Sequence, residues 1–317
     1  MNTSFQRIAL RRFSVKDTIK WHPHNYRRLH QIPFTPKKPA FKAYKMNSAA
    51  TMDPEQPEST SPLPQPLQEL IKQSMKYKER SHKTLEEVHK PGLELIPPTF
   101  DTQTPNQTSS FDVIFIGDSM LERLKSTGQN TGLHNLPRSF NLGVGGDKIE
   151  NVLYRLHTGY IPLLADRPTK LWVVHIGTNN LRPKKGLRDS DPSDYANFRI
   201  LIETLRVLCP GSKVLVTGLF PRKDVSDELV RASNEKLKET LDELDRTSLM
   251  VSGSFAEPGP GVGRLFWMDP TENINTDVLV DHVHLNEDGY TLWDESLYPR
   301  ILEILALEEA GPLQGAD

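Results

Sequence analysis

Phe111–Leu124 reads FDVIFIGDSMLERL, and the fold turns on how this stretch is parsed. Val113–Ile116 is a short, branched, apolar run closed by Gly117, the pattern of a strand covered on both faces in a parallel sheet. Met120–Lys125 then takes a helical spacing. A residue at such a strand-to-helix turn sits beside N–H groups that no carbonyl of the helix reaches, and these are the donors a developing oxyanion needs. Ser119 is therefore a candidate nucleophile. Asp118 and Ser119 are equally at home as helix caps, and a Gly-Asp-Ser triplet alone can be no more than a turn.

Downstream, strands and helices alternate. Ser139–Val144 predicts a second strand ending in Gly145-Gly146-Asp147, and Lys148–His157 a helix with Ile149, Val152, Leu153 and Leu156 inward. Leu171–Ile176 predicts a third strand, closed by Gly177-Thr178-Asn179-Asn180. Helices at Tyr195–Leu208 and Asp227–Leu244 flank a strand at Lys213–Leu219. The next strand has two candidates, Leu249–Val251 and Arg264–Trp267, separated by the Gly- and Pro-rich segment Gly253–Gly263. That segment is either a cover over the site or a surface excursion. Asp281-His282-Val283-His284 then precedes a final helix capped by Asn286 and reaching about Glu308. Such alternation implies an α/β fold, a parallel sheet with helices on both faces.

Sites in open parallel sheets lie beyond the carboxyl ends of the strands, near the point where strand order reverses. Ser119, Gly146 and Asn179 each follow a predicted strand, and Asp281 and His284 precede the terminal helix on the same edge. A serine hydroxyl needs a base within reach, and histidine is suited to that task. His284 takes this role, with Asp281 accepting the other ring proton. The oxyanion would be met by the N–H groups of Ser119 and Gly146 and by the side-chain amide of Asn179. Taken singly, Gly145 and Gly146 could simply end a strand, and Asn179 and Asn180 are ordinary turn residues. Asp281, His282 and His284 could also begin a metal site, but no further His/Cys cluster in this region completes a ligand set, so no metal is expected. His175 reads as a hydrogen-bonded core residue and His282 as solvated.

These blocks, GDS at 117–119, FNLGVGGD at 140–147, HIGTNN at 175–180 and DHVHL at 281–285, resemble those of the SGNH (GDSL-type) hydrolases. IGDSM, LGVGGD, the YRLHTG run and GTNN are similar to the catalytic subunits of intracellular platelet-activating-factor acetylhydrolase of the 1b type. The likeness covers about Phe111–Leu307. It implies a flavodoxin-like three-layer α/β/α sandwich with a five-stranded parallel sheet, no metal or organic cofactor, and homodimeric assembly. It also implies Ser119 as nucleophile, Asp281 and His284 completing a triad, and Gly146 and Asn179 as oxyanion donors. The activity expected is that of a serine esterase acting through an acyl-enzyme on short-chain or acetyl esters, with acetylated phospholipids as one substrate class. Met120, Thr178 and Val283, beside these residues, are expected to flank the acyl group. Two alternatives stay open, a carbohydrate acetylesterase and a non-catalytic interaction module.

The remainder of the chain frames this domain. With 317 residues, 36% of them hydrophobic, there is room for one sizeable domain plus extensions. The net charge of -2 gives no global case for nucleic acid. Residues 1–45 are rich in Lys and Arg, with Asp17 the one acid, which fits a mitochondrial-type presequence, a disordered basic arm or an upstream extension of the gene model. Residues 46–110 read as a Pro-rich linker carrying a helix over about 67–89, with Leu67, Leu70, Ile71 and Met75 on one face, ended by Pro91 and Gly92. Domain 111–308 follows, then a tail, 309–317, that should fray. The single cysteine, Cys209, rules out an intrachain disulfide and suits a reducing compartment such as the cytoplasm. No apolar run has the length of a membrane span, and Asn106-Gln107-Thr108 is a chance sequon without a secretory route.

Overall fold

The apolar stretch beginning at Phe111 forms strand β1 (Phe111–Gly117), and β2 (Ser139–Gly143) and β3 (Thr169–His175) pair with it on either side. This computed structural model describes residues 61–98, 110–246, 250–251, 254–255 and 265–307. Outside the described residues lie segment 1–45, the Pro-rich stretch to 60, the sequon at 106–108, most of the Gly253–Gly263 loop and the tail from 308.

β4 (Lys213–Thr217) pairs with β3, and β7 (Leu265–Met268) with β4, each in parallel. The five-stranded sheet has the order β2-β1-β3-β4-β7. Of the two candidates for the last strand, the later one joins the sheet. The earlier falls in a separate two-stranded antiparallel pair, β5 (Met250–Val251) with β6 (Ser254–Phe255). Successive residues of the inner strands alternate between two cores. Ile114, Ile116, Trp172, Val174, Val214 and Val216 enter one; Val113, Phe115, Leu171, Val173 and Leu215 enter the other. Both faces are buried, which is why these strands are apolar throughout.

The first core is covered by α5 (Ile149–Arg155), α6 (Ile161–Leu164), α7 (Asp194–Leu208) and α8 (Asp227–Arg246). The second is covered chiefly by α9 (Glu287–Ala306), through Tyr290, Trp293, Leu297, Ile301 and Ile304. Among the described residues no helix is long and apolar enough to cross a membrane.

The segment ahead of β1 departs from the expected linker and single helix. It folds as α1 (Gln65–Ser74), an extended stretch, α2 (Glu79–Thr84), a π-turn at Leu85–His89 and α3 (Lys90–Glu94). The break after α1 is imposed by a distant element: Lys76 N–H donates to Glu150 O at 2.9 Å and Asn151 Nδ2 donates to Lys76 O at 3.0 Å, so the chain is taken up by α5. Pro91 does not stop the helix. The wide turn before it resets the hydrogen-bond register, and Pro91 falls in the first turn of α3, where no N–H is required. Leu63, Leu67, Ile71, Leu85 and Leu93 are buried in the same core as the sheet, while Leu70 stays exposed. Each buried side chain contributes roughly 1.5–3 kcal/mol, so this segment is part of the domain's packing rather than a tether to it.

Candidate active site

Strand order reverses between β1 and β3, and the loops leaving these two strands meet at their carboxyl ends. The approach at this point is close: a Cβ on Gly117 would lie 1.9 Å from the His175 carbonyl oxygen. Asp118 caps the short helix α4 (Ser119–Glu122), its Oδ1 accepting from Met120 N–H at 3.0 Å. The capping role thus falls to Asp118, and the Ser119 side chain is left free of it. Ser119 is the first residue of α4, and its own N–H has no acceptor among the described residues. Tyr290 of α9 donates to Met120 O at 2.8 Å and ties this turn to the terminal helix on the same face of the sheet.

Ser119 Oγ lies 3.0 Å from His284 Nε2, and His284 Nδ1 lies 2.7 Å from Asp281 Oδ2. Asp281 Oδ1 accepts from the N–H groups of Val283 and His284, each at 2.8 Å. The loop carrying both residues is a tight hairpin, closed by a bridge between Leu279 and Leu285 and by Val280 N–H donating to His284 O at 2.8 Å. Burial alone would raise the Asp281 carboxyl. The hydrogen bonds from the His284 ring and from the His284 and Val283 N–H groups outweigh it and hold the group well below the usual carboxylate range. A charged acceptor on Nδ1 favours the tautomer whose Nε2 lone pair faces Ser119.

Gly146 sits exposed in the loop after β2 with φ +73, a left-handed conformation that favours glycine, and its N–H likewise has no acceptor among the described residues. Asn179 follows β3, half-buried, and its Nδ2 donates to the Asp147 carbonyl at 2.9 Å, with no acceptor for the second amide proton among the described residues. Asn180 points elsewhere. It is buried, accepts from Ile149 N–H and donates to Glu150 and Asp194, so of the two asparagines one belongs to the rim and the other to the packing. Met120, Thr178 and Val283 are all buried, Met120 within the second core. His175 is fully buried, hydrogen-bonded to Thr217 at 2.8 Å and pushed down to about 3 by burial; His282 is exposed.

One residue escaped the sequence reading. Asp147 is completely buried, and its carboxylate takes Arg155 Nε at 2.8 Å, Ser81 Oγ and Lys78 Nζ at 3.4 Å. Arg155 also donates to Leu142 O and Gly117 O, joining the ends of β2 and β1. The available signal was Arg155 itself, a charge on the inward face of an otherwise apolar helix stripe, paired in spacing with an acid just after Gly-Gly.

Residues 115–292 match the GDSL-like Lipase/Acylhydrolase family. The chain is 28% identical over 202 residues to platelet-activating factor acetylhydrolase IB subunit alpha1 of Rattus norvegicus, covering 62% of this chain and 78% of the relative. It is 26% identical over 199 residues to the alpha2 subunit of Homo sapiens, covering 61% and 77% respectively. A carbohydrate esterase family 3 structure from Talaromyces cellulolyticus aligns at 16% identity and a TM-score of 0.43, over 62% of this chain and 98% of that one. Since the family's pattern spans more than half of the chain and runs through every loop of this rim, the protein belongs to the GDSL-like lipase/acylhydrolase family and is a carboxylic ester hydrolase.

Proposed function

We propose that the chain hydrolyses short-chain, chiefly acetyl, esters through an acyl-enzyme on Ser119. The observation that carries the reading is the unbroken hydrogen-bond chain from Ser119 Oγ through His284 to Asp281. Ser119 Oγ attacks the ester carbonyl carbon as His284 Nε2 takes its proton, and Asp281 stabilises the imidazolium. The carbonyl oxygen becomes an anion that accepts from the N–H groups of Ser119 and Gly146 and from Asn179 Nδ2. Collapse of the tetrahedral species expels the alcohol, which takes the proton from His284. Water, deprotonated by the same ring, then releases the acid and restores Ser119.

Met120, Thr178 and Val283 adjoin Ser119, Asn179 and His284 in the chain and are each less than a tenth exposed; in this reading they flank the acyl group and crowd it toward a short chain. The relatives named as acetylhydrolases support the same preference. A panel of p-nitrophenyl esters, with acetylated sugars and acetylated phospholipids alongside, tests the reading. Turnover is expected to fall as the acyl chain lengthens; a preference for long chains refutes the acyl assignment. The sugar and phospholipid arms read out the alcohol. Labelling by a fluorophosphonate probe is expected in the native protein and absent in Ser119→Ala. An unlabelled native protein refutes the nucleophile.

A further inference from the structure

Three side chains meet at Asp147, and two of them come from the segment ahead of the sheet, outside the residues that match the family. Lys78 and Ser81 belong to the stretch that α5 holds through Lys76, and the two reach the glycine loop from above. Lys78 Nζ donates to Gly145 O at 3.0 Å and lies 3.4 Å from Asp147 Oδ1; Ser81 Oγ donates to the same carboxylate oxygen. The contact is close enough that a Cβ on Gly146 would come within 2.9 Å of Lys78 Nζ. Ser81 is fully buried, and the Lys78 side chain is 30% exposed.

Both side-chain oxygens of Asp147 are thereby occupied, Oδ1 by Lys78 and Ser81 and Oδ2 by Arg155. Its backbone carbonyl orients the Asn179 amide. We infer that Lys78 and Ser81 are positioning residues for the oxyanion site: by fixing Gly145 O and the Asp147 carboxylate they hold the Gly146 N–H, and through the Asp147 carbonyl they hold the Asn179 amide. The inference rests on the proposed roles of Gly146 and Asn179. Preorganised donors act because they need no rearrangement as charge develops, so loosening their support raises the barrier without weakening ground-state binding.

The test uses the full chain with p-nitrophenyl acetate as substrate and a trifluoromethyl ketone, whose serine adduct carries the oxyanion, as inhibitor. Lys78→Met and Ser81→Ala are each expected to lower kcat about tenfold, less than the 10²–10³-fold typical of losing a donor outright, with KM within twofold. The ketone should weaken by the same factor. Lys83→Ala, on the same helix but with a side chain 68% exposed, should change neither. Unchanged kcat in either folded variant overturns the inference. So does a lowered kcat with unaltered ketone affinity, or a loss in both variants that follows the loss of folded protein by circular dichroism. Ser119→Ala and Asn179→Ala run in the same assay separate the two levels: if they retain activity the oxyanion reading itself has failed, and if they lose it while Lys78→Met and Ser81→Ala do not, only the positioning role has.

Discussion

Asp281→Asn isolates the part of the site that decides which ring nitrogen of His284 carries the proton. In the wild-type hairpin Asp281 Oδ1 accepts from two backbone N–H groups at 2.8 Å, and Oδ2 faces Nδ1 at 2.7 Å. An asparagine must keep its carbonyl oxygen on the two backbone donors, which sets its NH₂ against Nδ1. Nδ1 then has to accept, the ring proton moves to Nε2, and Nε2 presents N–H rather than a lone pair to Ser119 Oγ. No base remains for the serine proton. The corresponding exchange in a Ser-His-Asp protease costs about 10⁴-fold in kcat, or about 5.5 kcal/mol of barrier. The Asp281 side chain is 40% exposed, so water can compete for the ring, and a loss of roughly 10³–10⁴-fold is expected here. KM for p-nitrophenyl acetate should stay within a fewfold and the melting temperature within a few degrees, because both backbone bonds of the loop survive. A variant that keeps more than a tenth of wild-type kcat refutes the tautomer argument.

Three further outcomes follow from the same geometry. Asn179→Ala should lower kcat about 10²–10³-fold with little change in urea stability, whereas Asn180→Ala, which strips partners from Ile149, Glu150 and Asp194, should cost about 2–3 kcal/mol of stability; equal effects on folding would sink the distinction. Arg155→Met leaves the Asp147 carboxylate buried without its main counter-charge and should cost about 3–5 kcal/mol, read by urea unfolding, and an unaffected midpoint would count against the buried pair as a structural support. Asp118 supplies a pH signature. Burial pushes its carboxyl up to about 7 against the hydrogen bonds from Met120 and Thr178. Between about 4, the ordinary aspartate value, and about 7 the folded chain therefore keeps a proton that the unfolded chain releases, so this group's contribution falls as pH rises through that window, by roughly 4 kcal/mol at most. Asp118→Asn retains a capping oxygen and should flatten that slope between pH 5 and 8; parallel slopes in the two proteins would refute the assignment.

The sheet could be read from the sequence because each inner strand is buried on both faces and shows as an uninterrupted apolar run, as in Val113–Ile116 and Leu171–Ile176. Ser119, Gly146 and Asn179 were legible for a related reason: each follows such a run, so chain order alone places them on one edge. The last strand was ambiguous because Leu249–Val251 and Arg264–Trp267 each carry three consecutive apolar residues, and only pairing with β4 separates them. The support of the glycine loop was not legible. Lys78 and Ser81 lie far from Asp147 in sequence, and a lysine and a serine on a polar stretch give no sign of a distant buried carboxylate. Residues 67–89 were read as one helix for the same reason, since the interruption after α1 comes from α5 and not from any local breaker.

The two wide turns carry a constraint on chain length. Leu85–His89 and Leu156–Tyr160 are both π-turns, and they face each other: His89 Nδ1 lies 2.5 Å from Tyr160 OH, and a Cβ on Gly159 would come within 2.7 Å of a Leu85 methyl. Tyr160 OH also accepts from Arg155 Nη1, so its proton goes to His89, which burial holds neutral with a pKa near 2. A π-turn amounts to one residue inserted into an α-helix. Deleting a single residue from one turn would restore ordinary helix there and rotate everything beyond it by about 100°, carrying His89 away from Tyr160. A one-residue deletion in either turn is therefore expected to break the contact between them.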